Sequence, residues 1–292
     1  MEITFIAADS MGARSMCTYV RTHDVSMIID PSVALGPRRY NKPPHPIEIR
    51  AMSEMWDKIR KYAFSADVII ITHYHYDHHN PEYADLFKNK ILLTKHPSEN
   101  INKSQTKRAA YFFDSIKDIP SEIFYSDGDS FTFGGTRADF SKAVPHGINS
   151  KLGYVTEVCI DDGERFVYTS DVEGPSLPEQ ADFIIESDPD VLYCDGPMTY
   201  MLGFRYPQKN LDLSIGNLIR MIESTRVQKI VLDHHLLRDI RWRERMRTLI
   251  AYARASGTDV MTAAEFMGMP DLVYEARRSE LYKNYPVTPI SI

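Results

Sequence analysis

The 292 residues include 43% hydrophobic and 25% charged side chains, the balance of a soluble chain with one large domain or two small ones. That composition excludes wholesale disorder and a collagen-like or fibrous repeat. Thirty-four basic against 40 acidic side chains leave a formal charge of −6, so nucleic acid and anionic membranes are disfavoured as partners.

No stretch reaches the ~18 apolar residues of a membrane helix, so no membrane partner is expected. Met1-Glu2-Ile3-Thr4-Phe5 lacks the basic and apolar runs of a signal peptide. Cys17, Cys159 and Cys194 are far apart and form no CxxC pair, as expected of buried thiols in a reducing, cytoplasmic compartment.

In chain order, 3–8, 16–20 and 25–29 read as strands, with a loop over 9–15. Prolines at 37, 43, 44 and 46 forbid regular structure before a helix over 47–64. Val68-Ile69-Ile70-Ile71 has the pattern of a strand buried on both faces, and 91–94 repeats it before a helix within 98–117. Strands are expected at 123–125, 130–133, 138–143, 154–160 and 166–169. Beyond them come strands at 183–186, 191–194 and 230–232, and helices over 213–225 and 237–255. Strands followed by α/β alternation in each half suit two central sheets with helices outside. We expect a single domain over 1–292, with a C-terminal extension from about residue 270.

The informative residues are histidines. His73, His75, Asp77 and His78 directly follow the buried strand, with His79 next. Two histidines two apart on an extended chain point to the same side. After a turn, Asp77 and His78 point elsewhere, which suits two neighbouring metal ions. Imidazole and carboxylate donors without cysteine suit catalytic zinc, and also iron or manganese. Burying so many polar side chains without a metal would be costly.

The run Thr72-His73-Tyr74-His75-Tyr76-Asp77-His78 resembles the HxHxDH signature of metallo-β-lactamase-fold hydrolases. The resemblance implies an α/β fold of four αββα layers with a two-metal site at one edge. It extends from Ile3 to about Gly268 through further matches in order. Asp30, ending an early strand, would hydrogen-bond the metal histidines. His146 would complete the first metal site, and Asp171 would bridge both metals. His234 would complete the second site, with His235 as the alternative. His75 replaces the Glu of flavin-linked diiron members, and the stretch from Asp171 to His234 is too short for the large nuclease cap. Residues 146–154 are similar to the matching stretch in ribonuclease Z and in sugar-phosphate lactonases, without the protruding arm that holds transfer RNA.

The implied activity is hydrolysis by a hydroxide held between two divalent metal ions. The expected substrate is a phosphodiester or small phosphorylated molecule. A lactone or ester hydrolase and a non-catalytic metal-binding protein are the alternatives. Asp77 would orient the nucleophile as well as bind metal, and His235 or His79 would protonate the leaving group. Arg14, Arg38, Arg39 and His45 are candidate contacts at the entrance, while Tyr200, Met201 and Tyr206 read as core.

Overall fold

The computed structural model describes residues 1–287. Residues 288–292, the end of the expected C-terminal extension, lie outside the described residues.

The chain builds two sheets by the same plan. In the first, β1 (Glu2–Phe5), β2 (Thr18–Arg21) and β3 (Ser26–Ile29) are antiparallel. β3 then pairs in parallel with β4 (Val68–Ile71), which is followed by β5 (Ile91–Thr94) and β6 (Glu122–Tyr125). Helix α1 (Pro46–Ser65) connects β3 to β4, and α2 (Lys103–Ser115) connects β5 to β6. The second half opens with the hairpin β7 (Ser130–Phe133) and β8 (Thr136–Phe140), then a small ladder of β9 (Val144–Pro145) and β10 (Tyr154–Val155). Antiparallel β11 (Val158–Asp161) and β12 (Arg165–Tyr168) lead into parallel β13 (Val191–Asp195), β14 (Lys229–Asp233) and β15 (Asp259–Met261). The second sheet has the order β15-β14-β13-β12-β11-β8-β7. Its crossovers carry α3 (Pro178–Ser187), α4 (Gln208–Ser224), α5 (Trp242–Arg245) and α6 (Arg247–Ser256), and α7 (Ala263–Phe266) and α8 (Arg278–Asn284) follow.

Strand alternation sorts the layers. Phe166, Tyr168, Tyr193 and Val231 face the first sheet, where Phe5 and Tyr193 pack with ring centroids 4.4 Å apart. Val167, Leu192, Cys194, Ile230 and Leu232 share the other core with Leu211 and Leu218 of α4 and Leu249 of α6. The result is the four-layer αββα sandwich. All four residues of β4 are buried, as a strand covered on both faces requires. Among the described residues, no helix is long and apolar enough to cross a membrane.

Three sequence expectations fail. Residues 154–160 are not one strand but two, β10 in the small ladder with β9 and β11 in the large second sheet, with Thr156 and Glu157 between them. Residues 183–186 are not a strand but the last turn of α3, whose buried Ala181 and Ile184 lie three apart on one face. Period alone does not separate a short apolar run in a helix from a buried strand, and Pro178 with the Gln180 cap starts this one as a helix. The expected helix over 237–255 is broken into a tight 3-10 turn at His234–Arg238, then α5 and α6. Arg241 and Arg243 of α5 face solvent and pair with Glu244 and Glu265.

Residues after α7 return across the loops of the first sheet. Arg278 is fully buried and holds Glu48, itself fully buried in the first turn of α1, at 2.8 Å. Arg14 makes a two-pronged pair with Glu275 at 2.6 Å. His45 caps α1 and donates from Nε2 to the Tyr285 carbonyl. Arg14 and His45, expected at the site entrance, are thus committed to this strap.

Removing one partner of a buried ion pair strands the other charge. Arg278→Ala is therefore expected to cost about 3–5 kcal/mol in urea denaturation. The double replacement Glu48→Leu/Arg278→Met is expected to cost much less. Burial alone would raise Glu275, but the Arg14 pair outweighs it and holds the carboxyl at about 2. A carboxyl held below its usual 4.5 adds stability that is complete above that value and is lost as pH falls toward about 2. Glu275→Gln should remove that acid-side slope from a stability–pH profile.

Candidate metal centre

The strand ends deliver the site to one edge. β4 leads directly into Thr72–His79, β9 into His146, β12 toward Asp171, and β14 into His234 and His235. His73, His75, His146 and Asp171 each place one donor atom within 4.8 Å of the others. Asp77, His78 and His234 form a second such group. Asp171 joins the two. Its Oδ2 lies 3.2 Å from His146 Nε2 and 3.6 Å from His73 Nε2. Its Oδ1 lies 3.0 Å from His78 Nε2 and 3.4 Å from His234 Nε2. His75 Nδ1 faces His146 Nε2 at 3.1 Å, and Asp77 Oδ2 lies 3.8 Å from His234 Nε2. The seven residues proposed from the sequence as ligands therefore meet in one cluster, in two groups sharing a carboxylate.

Three of the imidazoles, those of His73, His78 and His234, are aimed by a partner on the far side of the ring. Asp30 Oδ2 accepts from His78 Nδ1 at 2.8 Å. Asp9 Oδ2 accepts from His234 Nδ1 at 2.7 Å. Thr72 and Ser170 hydroxyls lie 3.3 and 3.2 Å from His73 Nδ1. The His146 loop hangs on Gln180, whose amide donates to the carbonyls of Pro145 and Gly147. Gly147 has φ +78, and a Cβ there would stand 2.3 Å from Glu173 Oε2, so only glycine lets the loop close. Asp30, Ser170 and His234 also have positive φ, at 49, 58 and 57 degrees. Three turns that shape the site are held in a conformation non-glycine residues seldom adopt.

His234 and His235 take different partners. His234 is fully buried and faces Asp171 and Asp77. His235 turns Nδ1 onto Asp195 at 3.0 Å, while its ring remains within ligand reach of Asp171 and His234. Burial, then Arg238 and His234, push His235 well down, while burial and Asp171 push Asp195 well up. His79 plays neither part. Its Nδ1 bonds the His75 carbonyl at 3.0 Å, and its ring packs on Tyr74, Tyr76 and Phe112. Burial chiefly lowers it to about 4. It braces the ligand turn from behind.

The donor set fits metal. His73 Nε2, His78 Nε2 and Asp171 Oδ1 are buried without a hydrogen-bond partner, which is costly unless something else occupies them. Burial lowers His75 to about 3, leaving a neutral ring with a lone pair to offer. At His78, burial is outweighed by Asp171 and Asp30, which raise it to about 10. A metal ion bound there would take the place of that proton. His75 and Asp77 are half-buried while the other five are buried, so solvent reaches the cluster from their side.

Sequence reasoning missed Asp9, Thr72, Ser170, Glu173 and Gln180. Asp9 also accepts from Arg238 Nε at 3.0 Å, and Arg238 Nη2 stands 3.2 Å from His234 Nε2. The available signal was an Asp directly after the first strand, matching Asp30 after the third. Asp195, the last residue of β13, anchors His235.

His234→Ala is expected to bind about one metal ion per chain less than wild type by elemental analysis of reconstituted protein. His235→Ala should keep the wild-type stoichiometry. Equal stoichiometry in the two variants would remove the distinction.

No family model matches the chain. A UPF0282 protein from Korarchaeum cryptofilum is 49% identical over 98% of this chain and 96% of its own length. A second, from Metallosphaera sedula, is 45% identical over 97% of this chain and 93% of its own length. Among solved structures, a possible metal-dependent hydrolase from Veillonella parvula aligns with a TM-score of 0.53 at 13% identity, covering 85% of this chain and 94% of its own. Tm1679, a metal-dependent hydrolase of the β-lactamase superfamily, aligns with a TM-score of 0.50 at 10% identity, covering 89% of this chain and 94% of its own. These likenesses show the metallo-β-lactamase fold, and the extent of the sequence matches makes this chain a member of the UPF0282 family.

Proposed function

We propose that this chain is a dinuclear metal-dependent hydrolase, with a phosphodiester or small phosphorylated molecule as substrate. The observation that carries the reading is the Asp171 carboxylate, each oxygen faced by imidazole nitrogens, with its own Oδ1 and the Nε2 atoms of His73 and His78 buried and unpartnered. One divalent ion would sit among His73, His75, His146 and Asp171, the other among Asp77, His78, His234 and Asp171. Nitrogen and oxygen donors without sulfur favour zinc. Such ions supply Lewis acidity and bring the pKa of water toward neutrality.

The chain's own residues divide the remaining work. Burial would raise Asp77, but His78 and His234 outweigh it and keep the carboxylate charged. Half-exposed beside the cluster, it accepts a hydrogen bond from the attacking water and orients it. His235 accepts at Nδ1 from Asp195, whose carboxyl burial keeps protonated, so its own proton is on Nε2; it hands that proton to the leaving oxygen as the bond to phosphorus breaks and takes the Asp195 proton at Nδ1. Arg238 is permanently charged, and Asp9 holds it at the His234 side of the cluster. A fixed cation beside the metal positions favours an anionic substrate, which is why phosphate is preferred over a neutral ester. The buried free cysteines suit a reducing compartment, and we place the protein in the cytoplasm.

The test is hydrolysis of bis(p-nitrophenyl) phosphate by metal-reconstituted protein. Wild type should turn over, and Asp77→Ala should lose activity with reduced occupancy of the second site. His235→Ala should keep its metal and lose about 10²-fold or more in kcat. Wild-type turnover of a lactone but of no phosphodiester would move the assignment to ester hydrolysis. Metal binding with no turnover of either would leave a binding protein.

A further inference from the structure

Aromatic rings that carry guanidinium groups adjoin both turns that supply the cluster. Tyr76 stands in sequence between the two half-buried ligands, and its side chain is 47% exposed. Its ring is backed by His79, with centroids 5.4 Å apart, and Arg108 of α2 lies 5.0 Å from its centroid. This pair belongs to the first-sheet half. A matching group rises from the second-sheet half. The turn after β13 packs against the His234–Arg238 turn and carries Tyr200. Arg39 lies 4.6 Å above the Tyr200 ring and donates to the Arg238 carbonyl at 2.8 Å. Four residues on, Phe204 is 78% exposed, with Arg205 5.5 Å from its centroid. Tyr76 thus sits on the turn of His75 and Asp77, and Tyr200 is tied through Arg39 to the turn of His234.

Leaving rings this exposed is unfavourable for stability alone. Aromatic faces stack nucleobases whatever their sequence, and arginines beside them neutralise the phosphates between bases. We infer that the substrate is a nucleic-acid phosphodiester with a nucleobase on each side of the bond to be cleaved. One base stacks on Tyr76 and the other on Tyr200 and Phe204. The inference rests on the hydrolytic reading above and narrows its substrate. It also reconciles nucleic acid with a net charge of −6. Only three arginines serve the strand, so a short single-stranded segment binds and a long duplex gains nothing further.

Binding can be read apart from turnover. Wild type in EDTA is titrated into fluorescein-labelled hexamers, and fluorescence anisotropy is followed. The probes are an oligoriboadenylate, an oligodeoxyadenylate and an abasic deoxyribose phosphate of equal length. The base-bearing probes should bind at least about tenfold tighter than the abasic one, since each stacked base contributes about 1–3 kcal/mol. Phe204→Ala and Tyr200→Ala should each weaken them about tenfold, with circular dichroism unchanged. The logarithm of affinity should fall against the logarithm of salt with a slope near ~2, as about three phosphates require. A difference between the ribo and deoxy probes would show which sugar the site accepts. Equal affinity for the abasic probe, or wild-type affinity in both folded variants, would overturn the inference. Base-dependent binding without phosphodiester hydrolysis would keep the stacking site and remove the hydrolytic reading. Hydrolysis of bis(p-nitrophenyl) phosphate with base-independent binding would do the reverse.

Discussion

The buried carboxylate of Asp30 is the constraint on which the site depends. It is fully shielded from solvent and accepts four hydrogen bonds. They come from the Thr72 amide at 2.8 Å, the Thr72 hydroxyl at 2.6 Å, His78 Nδ1 at 2.8 Å and the Tyr168 hydroxyl at 2.8 Å. Those donors belong to the turn after β4 and to β12, so one side chain ties the ligand turn to both sheets. A buried charge is tolerable only when satisfied in this way, which makes the arrangement nearly all-or-none. If the sheets shifted relative to one another, Asp30 would lose Tyr168 and His78 would lose its aim.

The same device recurs around the cluster. Asp9 follows β1 and holds both His234 and Arg238. Asp195 ends β13, accepts from the amides of Glu173 and His235, and faces the His235 ring. Asp233 ends β14 and accepts from the amides of Ser10, His234 and Ala263. A shell of strand-end carboxylates therefore fixes the backbone of neighbouring loops and the rotation of the imidazoles. At the centre of this shell the carboxylates of Asp171 and Asp77 stand close enough to repel each other, and cations there would relieve it. Metal binding and the packing of the two sheets are thereby linked through one polar network.

The repeated plan of the two halves explains why the site lies where it does. In each sheet, antiparallel strands precede a parallel set, and parallel strands release their chains at a common edge. β3 and β4 open onto that edge from one half, and β12, β13 and β14 from the other. The ligands thus come from distant parts of the chain without any long loop. Variation in the turns, such as the one carrying Phe204 or the Pro-rich segment carrying Arg39, can alter the surroundings of the cluster without disturbing it.

The sequence by itself determined the layers and the residue types that gather at the sheet edge. Apolar runs such as 68–71 mark strands covered on both faces, and His73, His75, Asp77 and His78 carry their chemistry in local spacing. The strand before His234 likewise marks it as the residue released first at the sheet edge. Only the tertiary structure decided the roles that depend on residues far apart in sequence. The separation of His234 from His235 rests on Asp9 and Asp195, distant along the chain and matched by no local pattern. The helical nature of 183–186 depended on which face packs inward, which the three-residue apolar run Phe183-Ile184-Ile185 does not encode. Arg14 and His45 were read as free polar groups because their partners, Glu275 and Tyr285, lie at the far end of the chain. Local pattern fixes what a residue can do, while long-range hydrogen bonding and burial fix which of those things it does.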